Sequence, residues 1–275
     1  MAANHPPLIR NVLSIAGSDP SGGAGIQVDL KAFSARGVYG MAAITALTAQ
    51  NTQGVSGVQV VPADFVAQQI KAVFADVRVD AVKIGMIANG EIAQAVADVL
   101  AAHKGIPMVL DPVMIAKGGA SLLDTCAISV MIHHLMPLAT LVTPNLPEAA
   151  ALLGQAEAQD RVTMQAQAEK LLTLGAQAVL LKGGHLPGDD SPDVLVSTTG
   201  TRWFEGRRIN TANTHGTGCS LSSALAAELA KGLSLQNAVA TARTWLRGAV
   251  SSADRLMVGS GHGPVHHFHA LWGSV

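Results

Sequence analysis

The chain has 275 residues, of which 49% are hydrophobic and only 13% are charged, so it is long enough to bury a large core. Its 18 basic and 19 acidic residues are scattered and give a formal net charge of -1, which argues against a nucleic-acid partner. No window reaches the roughly 18 uninterrupted apolar residues of a membrane span, and the two distant cysteines suit neither a disulfide framework nor a zinc knuckle, so we expect a soluble cytoplasmic protein.

Short apolar runs recur along the chain and predict strands that are buried on both faces. In chain order they are VLSIAG (12–17), MAAITAL (41–47), AVKIGM (81–86), MVLDPV (108–113), TLVTPN (140–145) and AVLLKGG (178–184). Helical spacing predicts helices over 63–77, 90–105 and 164–175, while 193–210 predicts antiparallel strands around a turn at Gly200. Two closing helices follow, near 216–231 and 234–254. This alternation is typical of a mostly parallel sheet covered by helices on both sides, in one domain.

Glycine-rich and polar segments follow most of the predicted strands. They are SDPSGGAG, IANGE, MIAKGGA (114–120), LPEAA and HLPGDDSPD. Ligands of open parallel sheets bind beyond the carboxyl ends of the strands, where loops meet helix N-termini, so we expect the functional site at this edge. Asp19 and Asp29, near the first of these segments, have carboxylates that could accept hydrogen bonds from a substrate.

The first glycine segment excludes two common nucleotide motifs. Residues 17–25 contain a G-x-x-x-x-G spacing, but Gly23 and Ala24 stand where a Walker loop needs Lys and Ser or Thr. The segment also fails to match G-x-G-x-x-G in register, which disfavours a nicotinamide or flavin enzyme. A tight turn between a strand and a helix is the simpler interpretation.

The turn THGTGC (214–219) predicts a binding site for negative charge. Gly216 and Gly218 allow backbone N–H groups to converge where a helix of small residues is expected to begin, at Ser220. Leucines at 221, 225 and 229 lie on one face of that helix and would anchor it against a core. Cys219, taken alone, would more commonly be a small buried hydrophobic residue.

Six motifs in order resemble the hydroxymethylpyrimidine/phosphomethylpyrimidine kinases of thiamine biosynthesis, in the ribokinase-like superfamily. They are residues 16–52, KIGM (83–86), DPVM (111–114), TPNLPEAAAL (143–152), LLKGGH (180–185) and NTHGTGCSLS (213–222). The resemblance extends to the tail GHGPVHHFH (261–269), so we expect one kinase domain over 11–275 and a flexible segment over 1–10. It implies a three-layer α/β/α sandwich, a homodimer, and transfer of phosphoryl groups from MgATP to 4-amino-5-hydroxymethyl-2-methylpyrimidine and then to its monophosphate.

The resemblance also implies a catalytic turn made of Gly216, Thr217, Gly218 and Cys219. Most of the superfamily has G-A-G-D here, with the Asp as base, whereas a Cys is familiar in the pyrimidine kinases and pyridoxal kinases. A thiol near a helix N-terminus has a lowered pKa, so our hypothesis is that the Cys219 thiolate accepts the alcohol proton in the first transfer. The second acceptor is a phosphate monoester with a second pKa of about 6, which is already ionised and needs no base.

The remaining site residues are also assigned by resemblance. Those for substrate are Gln50, Asp29, Gly17, Met86 and Val113; those for ATP are Lys182, Asn145, Asp111 and Thr214; those for Mg²⁺ are Glu148 and Asp111. The chemistry suits these roles: a carboxamide fits an aminopyrimidine edge, Met and Val fit the ring faces, and Mg²⁺ prefers carboxylate oxygens and water. Surface solvation of Gln50, Asp29 and Lys182, and core packing of Met86 and Val113, are the alternative interpretations.

Two alternative functions and a possible zinc site also have to be considered. A pyridoxal kinase of the same superfamily would use the same anion-binding turn, and a non-catalytic binding protein could use the same scaffold. His262, His266, His267 and His269 have spacings that could bind zinc, but no acidic or Cys ligand accompanies them, which disfavours a metal there.

Overall fold

The computed structural model describes residues 8–114 and 125–273. In this part of the chain ten strands are formed: β1 (Asn11–Ala16), β2 (Tyr39–Ile44), β3 (Ala46–Asn51), β4 (Gly54–Val60), β5 (Ala81–Ile84), β6 (Met108–Leu110), β7 (Leu141–Val142), β8 (Ala178–Lys182), β9 (Asp193–Ser197) and β10 (Gly200–Phe204). Eight of them make one sheet in the order β10-β9-β8-β7-β6-β5-β1-β2. The strands from β2 across to β8 run parallel, and β9 is antiparallel to both of its neighbours.

Helices cover both faces of this sheet. They are α1 (Gly25–Ala35), α2 (Ala63–Asp76), α3 (Gly90–Leu100), α4 (Thr125–Val130), α5 (Leu146–Leu153), α6 (Arg161–Leu172), α7 (Thr217–Ala230) and α8 (Leu235–Ser251). One hydrophobic core lies under α1, α7 and α8, and the other lies under α2 to α6. The predicted three-layer α/β/α sandwich is therefore confirmed.

The alternation of side chains along β1 explains how one strand serves both cores. Val12 packs with Phe33 of α1, whereas Leu13 and Ile15 point to the opposite face and pack under α2 and α3. Helix α7 is buried from Ser220 to Ala230, which holds its N-terminus in a fixed direction. The predicted leucine face at 221, 225 and 229 is part of this contact.

The sequence prediction is wrong at MAAITAL, which does not form one strand. Strand β2 ends at Ile44, and the next residue, Thr45, donates from its hydroxyl to the Met86 carbonyl oxygen at 2.6 Å. The chain then enters an antiparallel hairpin of β3 and β4 outside the main sheet. A register shift between Ala49 and Gln50 bulges this hairpin, and such bulges re-aim the side chains beside them.

The start of the chain is bonded to the domain from Ile9 onward. Arg78 donates to the Ile9 carbonyl oxygen, and Arg10 forms an ion pair with Asp80 at 3.2 Å. Residues 1–7 of the predicted N-terminal segment lie outside the described residues, as do residues 115–120 of the segment MIAKGGA. Across 8–114 and 125–273, the helices are all too short or too polar to cross a membrane.

Candidate active site

A cavity of about 740 Å³ opens beyond the carboxyl ends of the parallel strands. Its walls come from the loops after β1, β5, β6, β7 and β8, from the β3–β4 hairpin and from the start of α7. The predicted residues that line it are Gly17, Gln50, Met86, Asp111, Val113, Asn145, Glu148, Lys182, Thr214, Gly216, Thr217, Gly218 and Cys219. Tertiary folding thus brings together residues that are up to about 200 positions apart in the chain.

The turn before α7 presents unpaired backbone amides to this cavity. Helix α7 begins at Thr217, close to the predicted range of 216–231 and three residues before Ser220, because Gly216 adopts a left-handed φ of 73° and caps the helix. A Cβ at Gly216 would also collide with the carbonyl oxygen of Gly23. The amides of Gly218 and Cys219 donate to no acceptor within the described residues. The turn therefore has the donors and the helix-end field that an anion requires.

Lys182 supplies the positive charge opposite this turn. Its Nζ atom lies 3.1 Å from Asp111 Oδ1 and 4.0 Å from Glu148 Oε2. Burial alone would lower the pKa of Lys182, but the two carboxylates raise it above its ordinary value. A Cβ at position 218 would lie 3.4 Å from Lys182 Nζ. Because residue 218 is a glycine, the space between the turn and the ammonium group stays open. The ammonium group therefore stays charged and faces the anion-binding turn.

The N-x-x-E element has a structural role in addition to the predicted metal role. The Asn145 side chain accepts from the Glu148 amide at 2.8 Å, and Glu148 Oε2 accepts from the Asn145 amide at 2.7 Å, which makes a capping box for α5. The second carboxylate oxygen of Glu148 has no donor within the described residues. Burial raises the pKa of Glu148 to about 7, because this carboxylate is only partly compensated by Lys182.

These oxygens fit a hydrated magnesium ion. No group of three or more His, Cys, Asp or Glu side chains that could enclose a metal ion occurs in the described ranges. Mg²⁺ is commonly held by one or two carboxylates together with water and substrate phosphates, and Asp111 with Glu148 offers that donor set. The residues present are thus compatible with the predicted role.

The hypothesis of a thiolate at Cys219 is wrong for the protein at rest. Burial raises the pKa of the Cys219 thiol to about 11, and the nearby ammonium of Lys83 opposes this only in part. The start of α7 lies inside the domain, where the loss of water disfavours a thiolate more than the helix end favours it. At neutral pH the residue is therefore a neutral thiol on the cavity wall.

Asp29 is also placed differently from the prediction. Its carboxylate is fully buried beneath the cavity and does not line it. It accepts from Lys83 Nζ at 2.9 Å, from Ser14 at 2.5 Å and from Ser223 at 2.7 Å. Because these donors occupy the carboxylate, we correct its role from substrate binding to support of the cavity floor.

One wall of the cavity is lined by apolar groups and by Gln50. Met86, Val113 and Gly17 line this wall, and a Cβ at Gly17 would collide with the Met86 side chain. A side chain at position 17 would therefore displace the end of the Met86 side chain from its place in the cavity wall. Gln50 comes from the bulge of the β3–β4 hairpin and lies 3.3 Å from a ring nitrogen of His215. A flat polar ring is the class of ligand that such a wall accepts.

Residues 19–266 match the family model described as phosphomethylpyrimidine kinase. The chain belongs to this family. It is 53% identical over 262 residues to the hydroxymethylpyrimidine/phosphomethylpyrimidine kinase of Salmonella typhimurium, covering 95% of this chain and 98% of that relative. The family predicted from six motifs is thus confirmed.

Two solved structures have the same fold as this kinase. The phosphomethylpyrimidine kinase of Clostridium difficile is 41% identical with a TM-score of 0.78, over 88% of this chain and 99% of the other. The ADP complex of Bacillus subtilis pyridoxal kinase is 34% identical with a TM-score of 0.87, over 96% and 99%. Both likenesses agree with the predicted ribokinase-like fold.

Sequence reasoning missed several residues of the kinase cavity. Lys83, in the apolar run AVKIGM, reaches the cavity floor, and a lysine inside a buried strand was the available signal. Arg207, Arg208 and Arg243 line the end of the cavity beyond Lys182. No motif marked these arginines, because β9, β10 and α8 bring them to the site only through folding.

The buried pair of Lys83 and Asp29 should dominate the stability of the cavity floor. We expect Lys83→Met to lower the free energy of unfolding by about 3–5 kcal/mol, because it leaves the Asp29 charge buried and unpaired. Adding Asp29→Asn to this variant should recover part of the loss. Urea unfolding measures both effects, and Arg161→Met, which breaks the exposed ion pair with Glu205, is the control that should change little. A loss no larger than in that control would contradict the prediction.

The histidines of the C-terminal segment make hydrogen bonds within the protein. His267 Nε2 lies 2.9 Å from the Ser220 hydroxyl, and burial lowers the pKa of His267 to about 3. His262 and His269 each place Nδ1 3.1 Å from a carbonyl oxygen, those of Ala212 and His266. The contacts of His267 and His262 tie the tail to the start of α7 and to the loop before it, whereas the contact of His269 lies within the tail.

Proposed function

We propose that this chain is a cytoplasmic kinase that transfers the γ-phosphoryl group of MgATP to 4-amino-5-hydroxymethyl-2-methylpyrimidine and then to the resulting monophosphate. The reactions yield the diphosphate for thiamine biosynthesis. The observation that carries the proposal is a single cavity that joins the free amides of Gly218 and Cys219 to Lys182 and to Gln50. Phosphoryl transfer needs such a convergence of donors, because charge develops on the transferred oxygens.

Each group of residues in the cavity has one task in this mechanism. Gln50, Met86 and Val113 hold the pyrimidine ring, so that its hydroxymethyl group reaches the turn before α7. The turn and Lys182 stabilise the migrating phosphoryl group, while Asp111 and Glu148 would hold the Mg²⁺ that neutralises the ATP phosphates. The monophosphate places its own ionised oxygen where the alcohol stood, so one pocket serves both transfers.

A coupled assay with MgATP and the hydroxymethylpyrimidine tests this proposal directly. We expect mass spectrometry of the products to detect the monophosphate first and the diphosphate later. Pyridoxal is the competing substrate, because the chain also resembles a pyridoxal kinase at 34% identity. A higher kcat/KM for pyridoxal would favour that second function, and no product from either substrate would favour a binding protein.

The pH dependence of the first transfer tests the role of Cys219. With the pKa of the thiol at about 11, the thiolate fraction rises about tenfold for each pH unit between 7 and 9. The ratio of kcat in the wild type to kcat in Cys219→Ala should rise with the same slope for the hydroxymethylpyrimidine. For the monophosphate, which needs no base, the ratio should stay flat. A ratio that is independent of pH for both acceptors would remove the thiolate from the mechanism.

We also propose that the kinase is a homodimer that meets through the β3–β4 hairpin. Large apolar side chains are exposed on the hairpin, namely Leu47, Val58 and Val60, and Phe65 follows at the start of α2. Light scattering after gel filtration should give twice the chain mass, and the double variant Leu47→Lys with Val58→Lys should give a monomer. Val162→Lys, at an exposed site on α6, is the control that should stay dimeric. A monomeric wild type at micromolar concentration would contradict the proposal.

A further inference from the structure

Three polar side chains on the ring-binding wall of the cavity are joined by short contacts. His215 Nε2 lies 2.8 Å from Asp19 Oδ2 and 3.3 Å from the carboxamide of Gln50. The same carboxamide lies 3.3 Å from the Thr48 hydroxyl. Asp19 and His215 are almost fully buried, so these contacts form out of bulk water.

The hydrogen bonds of Asp19 fix the proton on His215. Asp19 Oδ1 accepts from the Ser21 amide at 2.9 Å and from the Ser21 hydroxyl at 2.7 Å. Burial alone would raise the pKa of Asp19, but the bonds from His215 and Ser21 lower it below its ordinary value. An ionised carboxylate only accepts, so His215 Nε2 must carry the proton that it donates to Asp19.

The orientation of the Gln50 carboxamide follows from the same accounting. The Thr48 hydroxyl has one proton, which it donates to the Ser18 carbonyl oxygen at 2.9 Å, so toward Gln50 it can only accept. Nitrogen and oxygen of a carboxamide have nearly the same shape, and their assignment rests on their partners. With the nitrogen toward His215, two N–H donors would oppose each other. In the reverse orientation the Gln50 nitrogen donates to Thr48, and its oxygen faces the single proton of His215 Nε2 as the weaker acceptor of a three-centre bond, in which Asp19 at 2.8 Å is the main acceptor and Gln50 lies at 3.3 Å.

We propose that His215, held by Asp19, is a positioning residue that fixes the Gln50 carboxamide in this orientation and thereby selects the ring of the substrate. The inference rests on the proposed function. The fixed carboxamide keeps one N–H and one oxygen lone pair for a ligand. An aminopyrimidine offers the complementary pair, an amino N–H beside a ring nitrogen. Pyridoxal has no amino group beside its ring nitrogen and leaves the Gln50 oxygen unpaired.

A double-mutant cycle on His215→Phe and Gln50→Ala tests this inference. In the wild-type background we expect His215→Phe to raise KM for the hydroxymethylpyrimidine about tenfold, as for the loss of one buried hydrogen bond, with KM for MgATP unchanged within about twofold. In the Gln50→Ala background the same substitution should change KM for the pyrimidine by less than about twofold, because its route of action is already gone. In His215→Phe, the ratio of kcat/KM for the pyrimidine to kcat/KM for pyridoxal should fall by a similar factor.

Three controls keep the result decisive. His215→Gln retains an N–H donor and should recover part of the affinity, while His134→Phe, at an exposed site, should match the wild type. If His215→Phe fails to fold, Thr48→Val enters the same cycle, since it removes the acceptor for the Gln50 nitrogen. Additive losses in the cycle, or an equal rise of KM for MgATP, would overturn the inference. A wild type without pyrimidine phosphorylation would instead overturn the proposed function.

Discussion

Gly216→Ala should lower kcat for both phosphoryl transfers by at least about a hundredfold, the range seen when one donor of an oxyanion site is lost. Gly216 holds a φ of 73°, and an added Cβ would collide with the Gly23 carbonyl oxygen. The turn must then shift, and the N–H groups of Gly218 and Cys219 no longer point to the same position in the cavity. Steady-state kinetics with saturating MgATP and each acceptor measure the effect.

Gly37→Ala is the matched control for this prediction. Gly37 has the same φ of 73° but lies at the surface, where an added Cβ meets nothing within 4 Å. It should cost stability through backbone strain alone and leave kcat unchanged. If Gly216→Ala and Gly37→Ala lower kcat to the same small extent, the turn before α7 does not stabilise the transferred phosphoryl group in the transition state.

Lys182→Met should reduce kcat/KM for MgATP by about a thousandfold, because a charge that faces the transferred group is lost from a buried site. The substitution keeps most of the side-chain volume and removes only the ammonium group. It also leaves Asp111 and Glu148 without their shared cation, so the cavity would repel the phosphates. Initial rates over a range of MgATP concentrations, with the pyrimidine saturating, measure the loss.

Lys170→Met provides the comparison on an exposed face of α6. We expect wild-type kinetics from this variant, since its charge lies in bulk solvent. Circular dichroism should verify that Lys182→Met keeps its fold, because an uncompensated Asp111 also destabilises the domain. Retention of more than about a tenth of the wild-type kcat/KM by folded Lys182→Met would contradict the assigned role.

The two corrections at the site share one physical cause. Cys219 and Asp29 were assigned roles that need a charged group open to substrate, but Asp29 is fully buried against Lys83, and Cys219, on the cavity wall, is too little hydrated to ionise. Whether a thiol near a helix end ionises depends on how much water reaches it, which is a property of the packed domain. The capping box of Asn145 and Glu148 shows the opposite case, because its spacing alone could have predicted the local hydrogen bonds.

The sequence by itself determined the class of fold and the family. Apolar runs that alternate with helical spacing predict a covered parallel sheet, and six ordered motifs identify the kinase, because both signals are local in the chain. Tertiary structure alone decided that MAAITAL breaks at Thr45, that Asp29 is paired with Lys83, and that His215 meets both Asp19 and Gln50. These outcomes depend on which distant residues come to share a buried space, since burial and partners set the charge and the orientation of a side chain.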